Sequence, residues 1–202
     1  LSGYINSNNL PSARTLSLGV FLESLYNGTG MNKSQNETGD QYAGTVADEV
    51  SVELHHATSP YALAASFTQV PLNTGGSLNV TVPVAFNGNY FIVVKHRNSV
   101  ETWSAEPVSF SIPVVSYDFR NAASSAYGGN LKQTGNVFAI FSGDVNQDGS
   151  VDTADMTPVD NDAGNYASGY LPTDANGDGT VDTSDMTIVD NNAAGYVVAQ
   201  HP

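Results

Sequence analysis

The stretch DVNQDGSVDTAD, from Asp144 to Asp155, returns thirty residues later as DANGDGTVDTSD, from Asp174 to Asp185. Each copy sets an oxygen-bearing side chain at loop positions 1, 3, 5, 9 and 12, and a glycine at position 6. Ca²⁺ needs about 6–8 hard oxygen ligands around one point, on a loop that turns sharply enough to supply them. In the first loop Asp144, Asn146 and Asp148 offer side chains, Ser150 a backbone carbonyl, and Asp155 closes the sphere. Gly149 permits the turn, because glycine adopts backbone angles that strain other residues. The same roles fall to Asp174, Asn176, Asp178, Thr180, Asp185 and Gly179. Asp152 and Asp182, at position 9, are expected to reach the ion through water. From residue 144 to 166, 15 of 23 positions are identical to those thirty later, which marks a duplicated unit and predicts two Ca²⁺ ions, one per loop. Mg²⁺ fits less well, because it holds its waters and rarely uses all-protein cages.

Downstream of each loop the spacing predicts a short helix, near 153–163 and 183–193. Asp152–Thr153 and Asp182–Thr183 supply N-cap oxygens. Met156, Val159 and Ala163 recur as Met186, Val189 and Ala193, so each helix has one apolar face and the two can pack together. Val151 and Val181, at position 8, point into a small core between the loops. Pro158 is tolerable near the start of its helix but is expected to shorten it.

This pair departs from an ordinary EF-hand: position 12 is Asp rather than a bidentate Glu, and NVFAIFSG before the first loop reads as a strand, not a helix. In these respects residues 143–198 resemble a dockerin, a duplicated loop–helix unit. The resemblance implies that residues at positions 10 and 11, here Thr153–Ala154 and Thr183–Ser184, and others further along each helix bind a cohesin-like partner. Those later positions hold Asp160–Asn161 and Asp190–Asn191, where many dockerins have basic or bulky residues. The strings LSLGVFLESLYNG, VSVELHHATSPYALAAS, YFIVVKHRNSVETWSAEPVSFS and VFAIFSGDVNQDG resemble a C-terminal region of secreted proteins from Bacteroidetes-like bacteria, in which a β-sandwich runs into a dockerin-like calcium pair.

Upstream, β-rich runs recur at about 15–26, 48–56, 61–69, 76–84, 89–97, 100–104, 107–117 and 135–142, separated by turn signals such as Asn87–Gly88–Asn89. Short strands with that punctuation predict an antiparallel sandwich, with FIVVK as a central strand. The polar, Gly-rich stretch 27–47 reads as a long loop. The expected architecture is mainly β: an N-terminal extension (1–14), an antiparallel Ig-like β-sandwich (15–142) and a dockerin-like two-helix calcium-binding module (143–202).

Charge divides the chain. Residues 1–143 hold nine acids and six bases; residues 144–202 hold eleven acids and no base. Two Ca²⁺ ions would offset part of that crowding, so metal binding and folding are expected to be coupled. Nucleic acids and anionic membranes favour clustered Lys and Arg, and neither partner suits this balance. No apolar run approaches the ~20 residues that cross a membrane. With no cysteine, disulfides and zinc–thiolate sites are excluded. The chain begins at Leu1 without Met, which reads as a processed form. Weak calcium modules suit the millimolar Ca²⁺ outside cells, so a secreted or cell-surface location is expected.

Little in the chain points to catalysis. There is no HExxH run, no phosphate loop and no Ser-His-Asp ordering, and the loops account for most of the Asp residues. His55 and His56, neighbours on a strand, face opposite ways. Lys95, Arg97 and Glu101 are expected to form a cross-strand ion pair beside Trp103, with Arg97 stacked on the indole. The reading is a non-catalytic structural protein. It assembles with copies of itself into an extracellular fibre or surface layer, through a strand that Leu1, Tyr4, Ile5 and Leu10 add to a neighbour's sheet edge. The alternatives are an adaptor for a cohesin-like partner and a glycan-binding module.

Overall fold

The computed structural model describes residues 13–202. Its strands are β1 (Ala13–Gly19), β2 (Gln35–Asn36), β3 (Gly39–Asp40), β4 (Val46–His56), β5 (Leu63–Asn73), β6 (Ser77–Pro83), β7 (Asn89–His96), β8 (Ser99–Trp103), β9 (Val108–Ser109), β10 (Val114–Asp118), β11 (Lys132–Thr134) and β12 (Val137–Ala139). Two helices follow, α1 (Thr153–Gly164) and α2 (Thr183–Ala194).

Strand β6, SLNVTVP, alternates exposed and buried along its length, so Leu78, Val80 and Val82 all enter the core. That period of two is what a sheet with one wet face requires. The first sheet has the order β10-β1-β6 and the second β5-β4-β7-β8, with β9 continuing beside β7. Leu16, Leu18, Leu78, Val80 and Val82 of one sheet meet Val52, Leu54, Leu72, Ile92 and Val94 of the other, and Phe110 and Phe119 fill the core between. The expected sandwich is present, but it is not wholly antiparallel: β1 pairs antiparallel with β6 and parallel with β10. Strand β7 lies between β4 and β8, as its sequence predicts, and is apolar on both faces because both are covered. Tyr90, Ile92 and Val94 face inward, while Phe91 and Val93 lie beneath Trp103 with Tyr61 and Tyr127 alongside. The stretch 27–47, expected as a loop, contains the small β2–β3 hairpin. The N-terminal extension was expected to end at Arg14, yet β1 already begins at Ala13; residues 1–12, on which the assembly reading rests, lie outside the described residues.

The helical part sits directly on the sandwich. Val100 of β8 is buried in the same apolar cluster as Val145, Val151, Val159, Val181, Val189 and Val197. A buried polar network reinforces the joint. Asp48 of β4 is completely buried; it accepts from Ser34 Oγ at 2.5 Å and Tyr170 Oη at 2.5 Å, meets His96 Nε2 at 3.0 Å, and lies 3.5 Å from Arg97 Nε. Burial alone would raise the Asp48 carboxyl, but His96, Arg97 and Ser34 outweigh it and hold the group well below the usual carboxylate range. A carboxyl depressed in this way contributes stability above its unfolded pKa of about 4, and that contribution fades as pH falls through the lower folded value.

Replacing Asp48→Asn is therefore expected to cost about 3–5 kcal/mol near neutral pH, the range for breaking a buried ionic network from one side. The gap in urea-unfolding stability between the native and D48N chains is expected to narrow steadily below about pH 4. A gap that stays constant to pH 2 would show that Asp48 is not held as a carboxylate.

Candidate functional site

Each acidic loop is laced by its own side chains. In the first, the Asp155 carboxylate accepts N–H groups of Val145 at 2.7 Å, Asn146 at 3.0 Å and Asp152 at 3.0 Å. Asp144 Oδ2 accepts from the Gly149 N–H at 3.2 Å, and Asn146 Nδ2 donates to Asp148 Oδ2 at 2.9 Å. The second loop repeats this. Asp185 accepts from Asn176 N–H at 2.9 Å and Asp182 N–H at 2.9 Å, while Asp174 accepts from Gly179 N–H at 3.1 Å. Backbone at position 6 is left-handed in both copies, with φ +90° at Gly149 and +85° at Gly179, so glycine is needed there.

Positions 1, 3, 5 and 12 are thus gathered within each loop. Position 9 does something else. Asp152 and Asp182 are exposed N-caps, accepting from the N–H groups of Ala154 at 2.6 Å and Ser184 at 2.7 Å. Their backbone N–H groups donate back to Asp155 and Asp185, so each helix starts with a capping box. Ser150 and Thr180 give N–H groups to Asp148 and Asp178.

The electrostatics are those of crowded carboxylates. Burial pushes Asp144 up to about 7, aided by the charges of Asp155 and Asp148. Burial likewise raises Asp174 to about 6, with Arg97 opposing, and raises Asp185. Asp144 Oδ1 is buried and has no hydrogen-bond partner. An orphaned acceptor among crowded acids is the environment a cation would relieve, so the donor set fits Ca²⁺. Among the described residues no three His, Cys, Asp or Glu side chains form a metal cluster by themselves. A loop of this type draws also on amide and main-chain oxygens, which such a cluster omits.

The two halves are related by an approximate twofold. Val151 N–H donates to Val197 C=O at 2.9 Å, and Val181 N–H to Ala167 C=O at 3.0 Å. Ala199 N–H donates to Gly149 C=O, and Gly169 N–H to Gly179 C=O. Helices α1 and α2 bury Val159 and Val189 between them, with Met156, Met186, Ala163 and Ala193 packed around, as their spacing predicts. The outward faces repeat as well: Thr153, Thr157, Asp160 and Asn161 on one, Thr183, Thr187, Asp190 and Asn191 on the other, all exposed. Tyr166 and Tyr196, just past the helix ends, repeat in the same way and are 90% and 88% exposed.

Some expected contacts are replaced by others. Lys95 does meet Glu101, at 3.1 Å. Arg97, however, stacks over Tyr170 at 4.5 Å rather than on Trp103, because it belongs to the β7–β8 turn and reaches the helical part. Trp103 instead packs against His55 at 4.5 Å, while His56 turns to Tyr90 on the opposite face. The sequence shows no Ser-His-Asp ordering, yet His96 bridges Ser99 Oγ at 2.9 Å and Asp48 at 3.0 Å. All three are buried, so no substrate reaches the hydroxyl. Their separation along the chain hid them, and the one available signal was an acid and a histidine inside otherwise apolar alternation.

No protein-family model and no curated protein matches the chain. Among solved structures it is similar to two mutant type II cohesin–X–dockerin complexes from Acetivibrio cellulolyticus. A chain of the N-terminal interface mutant matches at 17% identity and TM-score 0.52, and one of the C-terminal interface mutant at 15% and 0.51. Each match covers 89% of this chain and 94% of the other.

Position 4 of the second loop offers a direct test of how this part is seated. Gly177 has φ +74°, and an added Cβ would lie 2.6 Å from Leu25 Cδ2. Gly177→Ala is expected to lower stability by about 1–3 kcal/mol more than Gly135→Ala, whose equally left-handed glycine (φ +62°) has open space around it. Equal losses in thermal unfolding would mean that the loop is not pressed against the sandwich.

Proposed function

We propose that this chain is a secreted protein-interaction module of the dockerin type. Two Ca²⁺ ions build its helix pair, and the outward helix faces dock a cohesin-like partner. The observation that supports this best is the duplicated face: two metal-type loops, each opening through a capping box into a helix whose exposed Thr, Asp, Asn and Tyr residues recur in the other half. The structural neighbours come from cohesin–X–dockerin complexes, and their likeness in fold supports an interaction module of that kind. In each loop Asp144, Asn146, Asp148 and Asp155, or Asp174, Asn176, Asp178 and Asp185, would hold the ion, with the carbonyls of Ser150 and Thr180. Position 9 would act through the cap and through water. The sandwich then serves as a rigid companion that fixes the orientation of the helix pair. Among the described residues no helix is long and apolar enough to cross a membrane. Among the described residues, neither fibre assembly nor glycan binding has a comparable repeated surface in its favour.

Calorimetric titration of metal-stripped protein is expected to give a Ca²⁺ stoichiometry near two, with Asp178→Ala losing one ion. A helix pair that stays fully protected from hydrogen exchange in EDTA would remove the metal from the reading. For the partner, a type II cohesin domain is expected to bind in Ca²⁺ and to dissociate in EDTA. The double substitution Thr157→Arg, Thr187→Arg is expected to abolish that binding while leaving the unfolding midpoint unchanged. Binding that survives both arginines would place the contact elsewhere on the chain.

A further inference from the structure

On the calcium reading above, we infer that the two loops are unequal sites. The side chains of Arg97 and Asn98, which form the β7–β8 turn, act as positioning groups for the second loop, whereas on the first-loop side the turn offers only the Asn98 main-chain carbonyl, to Gly143 N–H at 2.7 Å, so that the second loop binds Ca²⁺ more tightly and fills first.

The difference lies in what holds the main chain of the position-1 residue in each loop. The Asp174 main-chain oxygen accepts from Arg97 Nη1 at 2.8 Å and from Asn98 Nδ2 at 3.0 Å. Asn98 Nδ2 also donates to Pro172 C=O at 3.1 Å, and Arg97 Nη1 to Leu171 C=O. The guanidinium is itself fixed, lying over the Tyr170 ring with Nε beside buried Asp48. The Asp48 carboxylate offsets part of a positive charge that would otherwise oppose a cation more strongly, although Nε and Nη2 make no hydrogen bond. On the far side of the loop Gln35 N–H donates to Gly177 C=O at 2.8 Å, with Gly177 pressed on Leu25 and Ser34. The Asp174 side chain then accepts N–H groups of Asp178 and Gly179, each at 3.1 Å. The main chain of the first ligand is therefore set in place from outside the loop and its carboxylate from within it.

The first loop lacks this support. Among the described residues, the Asp144 main-chain oxygen accepts only from Gln147 Nε2 of its own loop, at 2.5 Å, and no sandwich group donates to that loop's main chain. Gln147 occupies position 4, where the second loop has Gly177. It shares the left-handed backbone, with φ 60°, but is exposed and reaches the sandwich only through Ser99 C=O at 3.3 Å. A site that is already built spares the ordering cost at binding, and groups that orient metal ligands typically govern affinity by factors of about 10–100.

The full-length chain, stripped with EDTA and titrated with Ca²⁺, tests this through the amide NMR signals of Gly179 and Gly149, one in each loop. Gly179 is expected to respond first. Asn98→Ala is expected to weaken the Gly179 step roughly tenfold to a hundredfold and to leave the Gly149 step where it was. Arg97→Lys is expected to act in the same direction, since one ammonium cannot replace a guanidinium held between a ring, a carboxylate and two carbonyls. Trp103 fluorescence reports whether the sandwich survives each change, and the order of filling in the unaltered chain decides the matter even if a variant fails to fold. Gly149 responding first, both signals moving together, or Asn98→Ala weakening both steps alike would each overturn the inference while leaving a two-calcium protein. A chain that takes up no Ca²⁺ would overturn it together with the function on which it rests.

Discussion

Asp48 lies sealed from water in β4, one strand away from the β7–β8 turn, and a buried carboxylate is tolerated only when each lone pair is answered. Four groups from three separate places answer it: Ser34 before the β2–β3 hairpin, His96 and Arg97 around the turn, and Tyr170 between the two acidic loops. Each of those groups then does a second job. His96 passes its other nitrogen to Ser99, Arg97 reaches the carbonyls of Leu171 and Asp174, and Tyr170 stacks beneath the guanidinium and meets Tyr42 at 3.1 Å. Satisfying one acid thus ties the sandwich to the segment between the two acidic loops. Apolar contact around Val100 adds area there, but hydrophobic burial is non-directional and does not set an angle.

The loops and helices were legible in the sequence because their determinants are local. Oxygen at every second position, glycine at position 6, a capping pair three residues apart and an apolar residue every third or fourth position all lie within one twelve-residue window or the helix after it. Strands were legible for a related reason: alternation in SLNVTVP and apolar saturation in FIVVK report how many faces are covered. What the chain did not disclose depends on distance. The parallel pairing of β1 with β10 joins residues about a hundred apart, and nothing in either strand announces it. Arg97 was assigned to Trp103 by proximity along a hairpin, whereas its actual neighbour, Tyr170, is brought in by the fold of the helical part. The β2–β3 hairpin went unseen because each strand has two residues, too short for any period.

One mismatch between the copies carried more than it seemed to as text. Glycine at position 4 of the second loop and glutamine at position 4 of the first share a left-handed backbone, so geometry alone does not explain the difference. The glycine is pressed on Leu25, and a side chain would not fit; the glutamine looks outward. A duplicated unit that meets its neighbour through one copy leaves its mark in the positions where the copies disagree.

The joint between the two parts also has a mechanical meaning. Only Ser142 and Gly143 connect the last sandwich residues to the first loop, and Gly143 is itself wedged against Val151 and Val189. A tug on the helix pair would not be carried by that short tether alone. It would be shared by the Arg97 and Asn98 contacts, by Asn192 holding Glu23 at 2.6 Å and Ser142 at 2.7 Å, and by Asn130 on Val198 at 3.0 Å. These contacts tie the helix pair to the β7–β8 turn, to Glu23 and to Asn130 as well as to the tether, so a pull on the pair loads several of them together. Force applied to the helices passes into the sandwich through side-chain amides as much as through the backbone.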